Sequence, residues 1–281
     1  MRGPNRPIES APHGNAYGCC MQIQHALVAT VLSLCAALAQ AHDTWFDPRP
    51  EALYLGTGDH FPKHEFSLYA DALARHGCHD AAGHERPLRP LEQQSNRLKL
   101  ALPAANATGC WAQLVAFDVE IGPALVEVYF KDIQADDSMR KAWAEQLARG
   151  LPWRERYVKF ARVHLQGEPA REPTMELDAL IEPLAAPNTA NAAGAASASA
   201  LFTPKAGDEL SFRVLRNGEP LAGFAVQFRS ELTPAGLWRR TDADGRVRIR
   251  LPLSGRWMLR GTDLRQVDSE RGLWRNRSPT R

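Results

Sequence analysis

The chain has 281 residues, with 34 Lys and Arg against 32 Asp and Glu and a formal charge of +2. That balance gives no basis for a polyanion partner, so no nucleic acid is expected. With 44% hydrophobic residues, the chain is long enough for one large domain or two small ones with real cores.

Taken in order, the first feature is an apolar run from Ala26 to Leu38, followed by Ala39-Gln40-Ala41. It is shorter than the ~20 residues a membrane span needs, but suits the apolar part of a leader, and Ala-x-Ala is the pattern that leader peptidases cut. Residues 1–41 therefore read as leader and signal peptide, with translation starting at Met1 or Met21. Cleavage after Ala41 would leave His42 as the first residue of an exported chain. No later stretch is apolar enough to span a membrane, so no transmembrane segment is expected in the mature chain.

Short β-like runs follow at Leu53–Leu55, Phe66–Leu68, Leu98–Leu102 and Leu114–Val119, separated by Gly, Pro and Asn. Leu125–Lys131, rich in β-branched and aromatic residues, is expected to be a strand as well. Asp136, Asp137 and Ser138 then cap a helix running from Met139 toward Gly150, with Trp143 and Leu147 facing the sheet. A second short helix or a strand is expected at Arg154–Arg162. Residues 185–200 fall to small and polar types and read as a flexible Ala-rich insertion. From Pro204 the alternation is clear: Leu210, Phe212 and Val214, then Phe224, Val226 and Phe228, then Val247, Ile249 and Leu251. Turns at Asn217-Gly218 and Asp242–Gly245 separate these strands. The fold class expected is mainly β: two sandwich-like domains, 42–169 and 170–281, with one or two short helices.

Histidine is unevenly placed. Of the seven histidines from residue 42 onward, six (His42, His60, His64, His76, His79 and His84) lie within residues 42–84. Imidazole suits nickel, cobalt, copper and zinc, and an N-terminal residue adds an amine nitrogen. The expected ligands are His42 with His60 or His64, and His76 with His79 as a second candidate set. Only Cys78 and Cys110 of the five cysteines lie beyond the leader, and an even pair in an exported chain reads as a disulfide. Asp242–Gly245 lacks the further ligands of a calcium loop and reads as a turn. Arg246, Arg248 and Arg250 read as a solvated strand face. No Gly-x-Ser-x-Gly elbow, His-Glu-x-x-His pair or phosphate-cradling loop is present, so a non-enzymatic role is expected.

Several phrases together carry a resemblance: His42-Asp-Thr-Trp-Phe-Asp-Pro48, Gly56-Thr-Gly-Asp-His-Phe-Pro62, Glu155–Arg162, Ala206-Gly-Asp-Glu-Leu210, Gly218–Gly223 and Thr241–Arg246. With Gly255–Arg260 they resemble domain-of-unknown-function family 4198, exported proteins labelled as periplasmic components of nickel or cobalt uptake. The resemblance implies two β-sandwich-like modules, a periplasmic location, and a nickel or cobalt ion held first by His42. It also implies a metal-uptake transporter in the inner or outer membrane as partner. Two alternatives stand beside it: a copper enzyme built on an N-terminal histidine, and a metal-free module that binds an envelope protein or glycan. The tail from Gly272 to Arg281 is basic, contains Pro279, and is expected not to pair as a core strand.

Overall fold

The computed structural model describes residues 42–101, 104–166, 172–182 and 204–280. The expected leader, the Ala-rich stretch at 185–200 and the junction placed near residue 170 lie outside the described residues. Strands β1 (Asp43–Pro48) and β2 (Leu53–Gly58) form an antiparallel hairpin, whose turn is closed by the Arg49 N–H donating to the Ala52 carbonyl at 2.9 Å. After β3 (Phe66–Ser67) come β4 (Leu73–Asp80), β5 (Glu85–Arg86), β6 (Pro90–Gln93), β7 (Leu98–Leu100) and β8 (Ala107–Leu114). β9 (Phe117–Ile121) precedes helices α1 (Pro123–Asp132) and α2 (Asp137–Ala148), which lead into β10 (Trp153–His164) and β11 (Leu177–Glu182). The remaining strands are β12 (Glu209–Arg216), β13 (Glu219–Pro220), β14 (Ala225–Ser230) and β15 (Thr233–Arg240). Last come β16 (Arg246–Arg250), β17 (Trp257–Gly261), β18 (Asp263–Asp268) and β19 (Leu273–Thr280).

These strands make three sheets. The five-stranded one has the order β1-β2-β7-β6 with β3 beside β2, and the four-stranded one β11-β12-β13 with β16 beside β12. The ten-stranded sheet runs β15-β14-β17-β19-β10-β8-β4-β5, with β18 beside β19 and β9 beside β10. Leu53, Leu55, Leu98 and Leu100 pack against Cys110, Ala112 and Ala161 in one core. Phe212, Val214, Val247 and Ile249 pack against Val226, Phe228, Val158 and Phe160 in another. Successive strand residues point to opposite faces, so Phe160 and Ala161 of β10 enter different cores. The protein is mainly β, with two sandwich cores that share one sheet. Residues from His42 onward belong to one compact unit, and the ten-stranded sheet takes β4, β5 and β8–β10 together with β14, β15 and β17–β19.

Three expectations are corrected. Leu125–Lys131 is not a strand but lies within α1, which starts with Pro123 at its first turn. Val126, Tyr129, Phe130 and Ile133 are all buried at a spacing of three and four, whereas Val128 is half exposed. Helical period and packing outweigh the β propensity of the individual residues. In α2 the cap is as expected, with Asp136 accepting from the Met139 N–H at 2.9 Å, and Trp143 is buried. Leu147, however, faces solvent and Gln146 takes the inward position. Its amide donates to the Pro152 carbonyl at 2.7 Å and its oxygen accepts from Trp274 Nε1 at 2.9 Å, so burial leaves neither end unsatisfied.

The third correction is the tail. β19 lies inside the ten-stranded sheet, parallel to β10 from Leu273 to Thr280 and antiparallel to β18. Trp274 and Asn276 point inward, and the buried Asn276 amide donates to Glu155 Oε1 at 2.8 Å. Arg277 is paired with Glu176 at 2.9 Å. Pro279 falls between β18, whose pairing ends at Arg277, and β17, which meets β19 only at Thr280. On that side its missing N–H forfeits no ladder bond.

Candidate metal centre at His42

The β1–β2 register builds the site. Asp43 is opposite Gly58, so one step further out His42 comes opposite Asp59. The chain then turns through the cis Phe61–Pro62 peptide, with the Lys63 N–H donating to the His60 carbonyl at 2.8 Å. It returns as Glu65, whose N–H donates to the Thr57 carbonyl at 2.8 Å. His42 Nδ1 lies 2.6 Å from Asp59 Oδ1, and His60 Nδ1 lies 2.9 Å from Glu65 Oε1. Among the described residues, one group of three ligand-bearing side chains converges. It comprises His42, Asp59 and Glu65, with ligand atoms all within 4.8 Å of one another. The Phe66 ring packs 4.8 Å from the His42 ring. The His60 ring beside Glu65 holds its carboxyl below the ordinary range.

A half-buried layer of charge lies behind the hairpin. Lys159 of β10 donates to the His42 carbonyl, and Arg229 of β14 donates to the Asp59 carbonyl at 2.7 Å. Arg229 also reaches Asp43 at 3.3 Å, and Arg260 approaches the same carboxylate at 3.6 Å. Burial pulls the Lys159 amine down to about 8, with Asp43 and Asp59 opposing that drop.

The other histidines divide by their surroundings. His60 joins the site through Glu65. His64 is a core residue, 4% exposed, with Nε2 donating to the Trp45 carbonyl at 3.0 Å and its ring tilted against the Trp45 ring at 4.8 Å. Gly56 makes room for it, since a Cβ there would come within 2.5 Å of the His64 ring. His76 and His79, expected as a second pair, lie on β4 three residues apart, opposite Ala112 and Gly109. An odd spacing on a strand sends the two side chains to opposite faces, so they do not converge. His84 pairs with Asp80 at 3.2 Å on the surface. Cys78 and Cys110 form a disulfide across β4 and β8, as expected. Asp242 Oδ1 accepts from the Asp244 and Arg246 N–H groups at 3.0 and 2.8 Å, the geometry of a turn.

His64 gives a pH-dependent expectation. Burial pushes its ring from 6.5 down to about 4. On acidification the unfolded chain takes up this proton first, so the stability His64 contributes is complete above pH 6.5 and is lost as pH falls toward 4. That gap corresponds to about 3 kcal/mol. Between pH 7.5 and 4.5, wild type held in chelator should lose about 2–3 kcal/mol more than His64→Gln, read from urea midpoints. Parallel losses in the two proteins would remove His64 from the account.

Asp59 and Glu65 were not marked by sequence reasoning, although Asp59 lies inside the Gly56–Pro62 phrase. The available signal was the hairpin: two strands joined by a short Pro-containing turn place His42 beside Asp59. The molecule is thus defined as a shared-sheet β-sandwich protein with an imidazole–carboxylate cluster on its first hairpin. The chain belongs to the family described as Domain of unknown function (DUF4198), whose family model matches residues 39–262. No curated protein and no solved structure matches it.

Proposed function

We propose that the protein is exported to the periplasm, is cleaved after Ala41, and binds a divalent transition metal without catalysing a reaction. The convergence of His42, Asp59 and Glu65 within 4.8 Å carries this reading. Once His42 is N-terminal, its α-amine and Nδ1 can close a six-membered chelate, and Nδ1 is the ring nitrogen that faces Asp59. Two nitrogens and two carboxylates make a borderline donor set suited to nickel or cobalt, with copper and zinc as competitors. The compact unit starts at His42, which is where the proposed cut would leave it. A part in nickel or cobalt uptake beside a membrane transporter follows from the family resemblance.

The test is N-terminal sequencing of exported protein, followed by titration of the same sample with Ni²⁺ or Co²⁺ alone. One equivalent is expected to bind to a chain that begins at His42. An extra alanine ahead of His42 abolishes the chelate. It should weaken binding by at least about 100-fold, because loss of an outer partner alone typically costs 10–100-fold. Affinity falls as pH drops, since amine and imidazole must shed protons to ligate. A mature chain that begins elsewhere, or a free His42 terminus without stoichiometric metal, overturns the proposal.

A further inference from the structure

The two segments that carry the candidate ligands are held by one side chain from a remote strand. Arg229 Nη1 donates to Asp43 Oδ2 at 3.3 Å, and Nη2 donates to the Asp59 carbonyl at 2.7 Å. A single planar guanidinium therefore spans the residue after His42 and the backbone of Asp59. The β14–β15 register slips between Phe228 and Ser230, and Arg229 lies at that irregularity. A bulge of this kind re-aims a side chain and is enriched beside functional sites. Arg229 and Asp43 are mostly shielded, with side-chain exposures of 16% and 11%. The fork is thus fixed by its surroundings rather than waving in solvent. Lys159, donating to the His42 carbonyl, holds the same segment from β10.

We propose that Arg229 is a positioning residue for metal at His42, Asp59 and Glu65. Its two donors set the separation of the two ligand-bearing segments. This rests on the metal-binding reading above and adds a residue that touches no metal. The sign of its effect separates positioning from charge. A cation near a cation site repels metal, so removing it on electrostatic grounds alone would tighten binding. Positioning requires the opposite. A lysine at 229 keeps the charge but cannot present two parallel donors to two acceptors.

The experiment uses exported wild type, Arg229→Gln and Arg229→Lys, all beginning at His42, titrated with Co²⁺ alone. Affinity and the visible d–d absorption are read together, with far-UV circular dichroism reporting the fold. Both variants are expected to bind about 10–100-fold more weakly and to show a shifted cobalt spectrum, as for outer-shell changes at other metal sites. Arg229→Lys retains most of the packing and keeps the test open if Arg229→Gln does not fold. Equal or tighter binding by a folded variant, with the wild-type spectrum, overturns the positioning role and leaves the site standing. Wild type that binds no cobalt overturns the site and the positioning role together.

Discussion

Replacing Arg162 with methionine should destabilise the protein by about 3–5 kcal/mol, the usual result of stripping one partner from a buried ion pair. Arg162 and Asp178 are 3% and 0% exposed. The Arg162 Nε donates to Asp178 Oδ1 at 2.7 Å, and a second nitrogen pairs with the other carboxylate oxygen. Thr174 adds its N–H to Asp178 at 3.0 Å. The pair joins β10 of the ten-stranded sheet to β11 of the four-stranded sheet. Methionine can fill the volume of the arginine stem, so the loss comes from an uncompensated carboxylate rather than a cavity. The double change Arg162→Met with Asp178→Leu should then recover most of the loss, because a packed apolar pair often matches a buried ionic one. Urea unfolding of the three proteins measures this. A loss below about 1 kcal/mol for the single variant would show that water reaches Asp178.

Reducing the disulfide should lower stability by about 3–4 kcal/mol. Cys78 and Cys110 are directly opposite on β4 and β8, and are separated by 32 positions in the chain. Closing a loop of that length restricts the unfolded chain, and the chain-entropy treatment gives a figure of this size. Both cysteines are buried in the core that also holds Leu73, Leu114 and Ala112, whose packing does not depend on the bond. The reduced protein is therefore expected to stay folded but to unfold at lower urea. Oxidised and reduced wild type provide the comparison, and Cys78→Ala with Cys110→Ala should fall at or below the reduced form. Coincident curves for oxidised and reduced protein would leave the bond without a stabilising role.

How much of this could be read beforehand depended on whether a residue's neighbours were near in sequence. Strands β12, β14 and β16 were legible because apolar residues that enter one core alternate with polar ones along them. The α2 cap was legible because Asp136 acts on a backbone group three residues away. Helix α1 was missed because residue type was weighed above spacing, although Val126, Tyr129, Phe130 and Ile133 keep the helical period. Gln146 and Asn276 could not be placed by hydropathy, since both are polar residues buried only because specific partners meet them. The candidate site was half legible. The imidazoles announced themselves by clustering, but in a strand His76 and His79 diverge and in a core His64 is consumed by Trp45. Asp59 required the hairpin register. Arg229 is 186 positions from Asp43, and only tertiary pairing brings the two together.

The position of β19 dictates an order of events during biogenesis. Its eight residues flank β10 on one side and carry β18 and β17 on the other. Until Leu273–Thr280 have emerged from the ribosome, β10 lacks a hydrogen-bonded neighbour along that edge. The β14–β15–β17 portion meanwhile has no attachment to the rest of that sheet. The chain must therefore wait, open-edged, for its closing segment before it can lock.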